Sequence, residues 1–178
     1  TDFTTDDCNG FTHNLFDSLD AGNVIVIAWV MPCGPCATDA LPAYAAVQSF
    51  SSSHPNRVDF YLVDDYDNTA CATLVNWGIT NSMPLNTTFK SPDISMSDYG
   101  TNGMPKVVVL GGTSHTVYYN RNDNTINFTD VQTAITNALL PPLGIEQSIN
   151  NKFEISSYPN PVNNVLNVSY TNIKSAII

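Results

Sequence analysis

The hydrophobic pattern divides the chain into alternating strand-like and helix-like stretches. Val24–Val30 reads Val-Ile-Val-Ile-Ala-Trp-Val, a continuous β-branched run that predicts a central strand buried on both faces. From Cys36 to Phe50 the spacing of Leu41, Tyr44, Ala45 and Val47 turns helical. Val58–Val63 is again rich in β-branched and aromatic residues and predicts a second strand. Asp64–Thr69 reads as an acidic loop that can cap a helix over Ala70–Trp77, with Gly78 as its stop. Ile79–Tyr99 is weakly patterned, with a short helix over Met96–Tyr99. Lys106–Leu110 predicts a strand, and Gly111-Gly112 turns it into a partner at Thr116–Tyr119. Thr129-Asp130 is the predicted cap of an amphipathic helix carrying Val131, Ile135, Ala138 and Leu139, which Pro141-Pro142 ends. Ahead of all this, Asp2–Phe16 reads as a hairpin around Asn9-Gly10, and Asp20–Asn23 as a turn. Strand and helix alternating in the first half imply parallel pairing, and the late hairpin adds an antiparallel edge.

Composition narrows the partners. Of 178 residues, 16 are acidic and 6 basic, a net charge of −10. Six basic residues spread along the chain make no basic patch, which excludes nucleic acid as the main partner. The longest apolar run, Val24–Met31, is far short of the ~18 residues a membrane helix needs. Charged residues are only 12% of the chain. Asn, Ser and Thr fill the gap at about 30%, a bias we read as the surface of an exported bacterial protein. Thr1-Asp2-Phe3 lacks the basic start and apolar core of a signal peptide, which for an exported chain implies the processed form.

The chemistry concentrates at Cys33-Gly34-Pro35-Cys36, directly after the buried strand and at the start of a helix. A helix N-terminus presents unpaired N–H groups and the positive end of the macrodipole, which favour a thiolate at the first cysteine. The second cysteine, within one turn, can attack a mixed disulfide formed by the first. Gly34 and Pro35 hold the entry turn. No histidine stands at ligand spacing from the pair, so no zinc site is expected, and no cofactor. Asp64, Asp65 and Asp67 resemble a calcium loop only loosely, because no downstream glutamate completes it. His13, His54 and His115 stand alone and read as surface or loop residues.

Several pieces together resemble the thioredoxin superfamily, in the redoxin branch of bacterial envelope thiol–disulfide oxidoreductases. They are Asp7-Cys8-Asn9-Gly10 with Leu15, Val24–Trp29 with the Cys33–Cys36 motif, Leu74–Ile79 ending in Trp77-Gly78-Ile79, and Tyr99-Gly100 before Gly103-Met104-Pro105. The resemblance covers about residues 1–140. It implies an α/β, thioredoxin-like fold, a central mixed sheet flanked by helices with an N-terminal β-hairpin extension. It also implies that Pro105 is cis and faces the cysteines, leaving the Met104 backbone to pair with an extended substrate. Cys33 and Cys36 are then the catalytic residues, and Met104, Pro105, Gly34 and Pro35 contact substrate. Three positions depart from the family. Pro32 replaces a tryptophan, Ile27 replaces the buried acid that accepts the proton of the second cysteine, and Pro42 lies one residue late in the helix. Water or Asp39 remains as the acceptor.

Cys8 and Cys71 are left over. Four cysteines allow three pairings. With the hairpin expected beside the Val58–Val63 strand, a structural Cys8–Cys71 disulfide is the favoured reading. The alternatives are a second resolving thiol at one of them, or two free thiols.

After Pro142 the texture changes. Leu143–Lys152 is a polar linker, and Phe153–Tyr170 reads as two short strands around Tyr158-Pro159-Asn160-Pro161. Tyr158–Val162 followed by Val165-Leu166-Asn167-Val168 is similar to the start of the C-terminal sorting domain of type IX secretion cargo, a system of Bacteroidota. The expected domains are therefore 1–140, a linker 141–152, and a shortened sorting fragment 153–178. The expected function is a secreted or cell-surface thiol–disulfide oxidoreductase, with the periplasm as the alternative location. Its partners are protein thiols or disulfides, and the type IX machinery through the tail. The competing reading is a surface binding module with the same fold and a merely structural Cys33–Cys36 bond. A peroxidase of the peroxiredoxin kind is disfavoured, because the Thr and Pro before a single cysteine are missing.

Overall fold

The computed structural model describes residues 1–64 and 66–140, and the backbone of two further strands at 154–158 and 167–171. Strands β1 (Thr4–Asp6) and β2 (Thr12–Asn14) form the N-terminal hairpin, followed directly by helix α1 (Leu15–Asp20). The central sheet contains β3 (Val24–Val30), β4 (Val58–Asp64), β5 (Thr87–Phe89), β6 (Lys106–Gly111) and β7 (Thr116–Asn122) in the order β5-β4-β3-β6-β7. β3 runs parallel to β4, and β4 to β5, while β6 and β7 pair antiparallel. Helices α2 (Gly34–Gln48), α3 (Cys71–Thr80) and α4 (Phe128–Leu139) complete this unit.

The seven residues of β3 are all buried, and their alternation sorts the core. Val24, Val26, Ala28 and Val30 face a cluster built with Ala40, Ala43 and Val47 of α2, Leu74 of α3, and Val131 and Ile135 of α4. Ile25, Ile27 and Trp29 face the other cluster, with Leu15 and Leu19 of α1, Phe3, Tyr61, Phe89 and Met96. A strand with no solvated face has no reason to alternate polar and apolar residues, and this one does not.

Four expectations are corrected. The neighbour of β4 is β5 and not the hairpin, which forms its own two-stranded sheet and meets β5 through Cys8 N–H donating to Thr88 O at 2.8 Å. Residues 15–20 form a helix, where the sequence suggested the return of the hairpin and a turn; Leu15 and Leu19 lie one turn apart and fully buried. Gly78 does not stop α3, which continues to Thr80. A Cβ there would meet Asn86 Nδ2 at 2.9 Å and Leu62 Cδ2 at 3.1 Å, so the glycine serves close packing against β4. The cap of α4 is Asn127, whose side chain accepts from Asp130 N–H at 2.9 Å, and not Thr129-Asp130.

Beyond this unit, β8 (Glu154–Tyr158) pairs antiparallel with β9 (Asn167–Thr171). The Pro141-Pro142 stop, the linker, and the Pro159-Asn160-Pro161-Val162 turn lie outside the described residues, as does Asp65. Contact density divides the chain into Thr1–Pro142 and Leu143–Ile178.

Candidate functional site

The parallel strands β3 and β4 end together, Val30 beside Asp64. Three residues beyond Val30, Cys33 is the N-cap of α2 in an extended conformation, and Pro35 occupies the first turn, where its missing N–H costs nothing. Cys33 Sγ takes the place of a capping oxygen: it accepts from Cys36 N–H at 3.3 Å. The two sulfurs lie 2.6 Å apart. Cys33 is half-buried, whereas Cys36 is 3% exposed and packs into the α2 cluster. An accessible sulfur backed by a sheltered one in direct contact with it can form and open a disulfide with little backbone movement. Gly34 and Pro35 are exposed beside them, and Met31 presents a 47% exposed apolar side chain just before the motif.

Met104 and Pro105 enter from the other side of β3. Lys106 pairs with Trp29, so the chain leading into β6 passes the end of β3 where the cysteine motif begins. The Met104–Pro105 peptide bond is cis. Next to Met104 opens a cavity of about 430 Å³, lined by Asp64, Asp67, Ser91, Ser95, Met96 and other residues of these loops. A second cavity, of about 400 Å³, lies at the opposite end of β4 between His54 and Leu85 and has no thiol near it.

Asp64 is 2% exposed, and its Oδ2 accepts from Asn68 and Thr69 N–H at 2.6 and 2.7 Å. Its Oδ1 is the buried side-chain oxygen that has no hydrogen-bond partner among the described residues. Asp39, the acceptor considered from the sequence, sits half-buried on α2. Ile27, in the position of the family's buried acid, is fully buried in the cluster across the sheet from α2. Trp29 on that same face donates its indole N–H to Ile94 O at 2.8 Å and packs against Tyr99. Burial, with Asp98 and Asp2 adding, pushes the Tyr99 phenol up to about 12, so it is neutral under ordinary conditions.

Cys8 and Cys71 are joined by a disulfide, with Cα atoms 5.4 Å apart. The bond ties the hairpin turn to the first residue of α3. Sequence reasoning missed Lys106, which it took for a strand opening. The side chain is 1% exposed, and burial lowers the pKa of its ammonium. The available signal was a lysine directly ahead of four apolar strand residues, Val107 to Leu110. No group of three or more metal-ligating side chains occurs among the described residues.

No protein-family model matches the sequence, and no curated protein matches it. Solved structures do match. The thiol:disulfide interchange protein of Chlorobium tepidum is 14% identical with a TM-score of 0.57, over 78% of this chain and 94% of its own. The thioredoxin domain of a thiol-disulfide oxidoreductase from Bacteroides vulgatus is 12% identical with a TM-score of 0.58, over 76% and 94%. MTB DsbF is 15% identical with a TM-score of 0.58, over the same shares. Together with the mixed five-stranded sheet and its flanking helices, these likenesses establish that residues of the first unit adopt the thioredoxin-like fold.

Proposed function

We propose that this protein is an exported thiol–disulfide oxidoreductase acting on other proteins through Cys33 and Cys36. The observation that carries the reading is the arrangement at the start of α2: an accessible capping sulfur at Cys33 beside the buried sulfur of Cys36, 2.6 Å apart, while Cys8 and Cys71 are bonded to each other. The Cys33 thiolate attacks one sulfur of a substrate disulfide and forms a mixed disulfide, and the other substrate sulfur leaves as a thiolate. Cys36, after losing its proton, attacks Cys33 Sγ. The Cys33–Cys36 bond forms, the substrate departs with its second thiolate, and two electrons have passed from the pair to the substrate. The reverse sequence oxidises a substrate dithiol by the same atoms. Met104, Pro105, Gly34 and Pro35 are proposed to contact the substrate chain, with Met104 backbone groups pairing to it as an added strand. Cys8 and Cys71 have a structural role.

Support for this chemistry comes from the names of the structural neighbours, which are thiol:disulfide interchange proteins and oxidoreductases. One of them is described as a secreted disulfide oxidoreductase of Mycobacterium tuberculosis. Export of this chain to the cell surface or medium, with the periplasm as the alternative, is supported by the Asn/Ser/Thr-rich composition. A sorting role for the tail is supported by the Tyr-Pro-Asn-Pro and Val-Leu-Asn-Val sequences. We assign the domains as 1–140, a linker 141–152, and a sorting fragment 153–178.

The decisive experiment is trapping. Cys36→Ser removes the resolving thiol, so mixed disulfides between Cys33 and substrate proteins should accumulate and be released by dithiothreitol. Cys33→Ser should trap nothing. An empty Cys36→Ser trap in the native host would overturn the catalytic reading in favour of a binding module.

A further inference from the structure

Lys106 follows the Met104–Pro105 bond and is the least expected residue in the sheet. It is 1% exposed, yet the ion pairs among the described residues are His13–Asp7 and His115–Asp20, and neither involves it. A buried cation without a carboxylate is costly, and a methionine or leucine of similar volume would fill the space without that cost. What the ammonium does bind is the loop before it. Nζ donates to Thr101 O at 2.8 Å and to Asn122 Oδ1 at 3.3 Å. Asn122 in turn donates its Nδ2 to the same Thr101 O at 3.1 Å. The two side chains and one carbonyl form a closed triangle beneath Thr101–Met104.

The rest of the loop is fastened from the same side. Asn120 Nδ2 donates to Tyr99 O at 2.8 Å, and Asp123 N–H to Pro105 O at 2.8 Å. A Cβ at Gly103 would meet Asn122 Nδ2 at 2.5 Å, so the loop lies directly on that amide. Of these ties, Lys106 alone contributes a full charge, and hydrogen bonds from a charged donor are about twice as strong as neutral ones. Burial lowers the ammonium's pKa, and the two hydrogen bonds to Thr101 O and Asn122 Oδ1 are what it gains in return.

We propose that Lys106 is a positioning residue: through the Thr101 carbonyl and Asn122 it fixes the Thr101–Met104 loop in the shape in which the Met104 backbone receives an extended polypeptide substrate. Lys106 touches no reacting atom. The inference rests on the oxidoreductase reading above and names the device that sets its preference for polypeptide over small substrates.

The test compares two disulfide probes of different size: insulin, turned over with dithiothreitol as the reductant, and the aromatic disulfide reagent DTNB, added to the intact chain after it has been reduced and freed of dithiothreitol. A polypeptide uses the Met104 backbone, and a small reagent needs only the Cys33 sulfur. Lys106→Met should raise KM for insulin about tenfold with kcat changed by less than about twofold, the effect of losing a charged hydrogen bond in the loop. The DTNB rate should stay within about twofold of the original protein. Asn122→Ser should raise the insulin KM in the same direction by a smaller factor, and it decides the matter if Lys106→Met gives no cooperative unfolding transition. An unchanged insulin KM, or an equal fall with both probes, overturns the positioning role. If the unaltered protein reacts with DTNB and never turns over insulin, the oxidoreductase reading itself falls, and the positioning role with it.

Discussion

Asp7 closes the hairpin turn with a single carboxylate. Its Oδ1 accepts from the N–H groups of Asn9 and Phe11 at 2.8 and 3.0 Å, and its Oδ2 lies 3.3 Å from His13 Nε2. Burial alone would raise its pKa, but the two backbone donors and His13 outweigh it and hold the carboxyl below its ordinary value of 3.8. A carboxyl depressed in the folded state stabilises the fold fully above its unfolded value. That contribution is lost as the pH falls through the lower folded value. Asp7→Asn should therefore lower the unfolding free energy at neutral pH by about 1–3 kcal/mol. Below about pH 4 the variant should lose less stability with further acidification than the original protein does. Urea denaturation followed at several pH values measures both. Parallel acid limbs for the two proteins would show that Asp7 does not carry this pH dependence. His13 links the carboxylate to the core, packing edge-on against Tyr61 and Phe89, so a surface turn is coupled to the sheet through one imidazole.

The elements differ in how much of them can be read from the sequence, and the reason is where their stability comes from. β3, β4 and β6 carry their own burial as apolar runs, and the cysteine motif is legible because strand, turn and helix follow one another without a gap. β5 is three residues, Thr-Thr-Phe, made a strand by pairing with β4 and not by its own pattern. α1 hides behind the hairpin signal, because its two buried leucines are also consistent with a returning strand. Gly78 and Lys106 were invisible for a related cause: a glycine used for close approach and a lysine used for internal hydrogen bonds look like a helix stop and a surface charge. The disulfide joins the hairpin turn to the first residue of α3. Cys8 and Cys71 are 63 residues apart, and closing a loop of that length removes unfolded-state entropy worth about 4 kcal/mol. The double variant Cys8→Ala, Cys71→Ala should lose up to that much stability in urea titrations. The reduction potential of the Cys33–Cys36 pair, read against glutathione, should stay where it was. A shifted potential would mean that the second pair takes part in the redox chemistry.

At the scale of the whole molecule, charge and domain division bear on each other. Six basic residues against 16 acidic ones give a surface that repels acidic partners. The two core clusters of the thioredoxin-like unit are filled by side chains between Phe3 and Leu139, spanning both faces of the sheet. The proposed site draws on Cys33, Cys36 and the Tyr99–Lys106 segment, all inside Thr1–Pro142. A unit that contains its own core and its own site should fold and turn over substrate by itself. Removing residues 143–178 should therefore leave one cooperative thermal transition, with a midpoint within about 2 °C of that transition in the longer chain. The insulin KM and kcat should be unchanged. What the shorter chain should lose, in a host with a type IX pathway, is delivery to the cell surface. A midpoint lowered by more than about 5 °C, or a lost insulin activity with the DTNB reaction intact, would mean that the tail completes the oxidoreductase unit. A shorter chain delivered to the surface as before would mean that residues 143–178 are not what directs export.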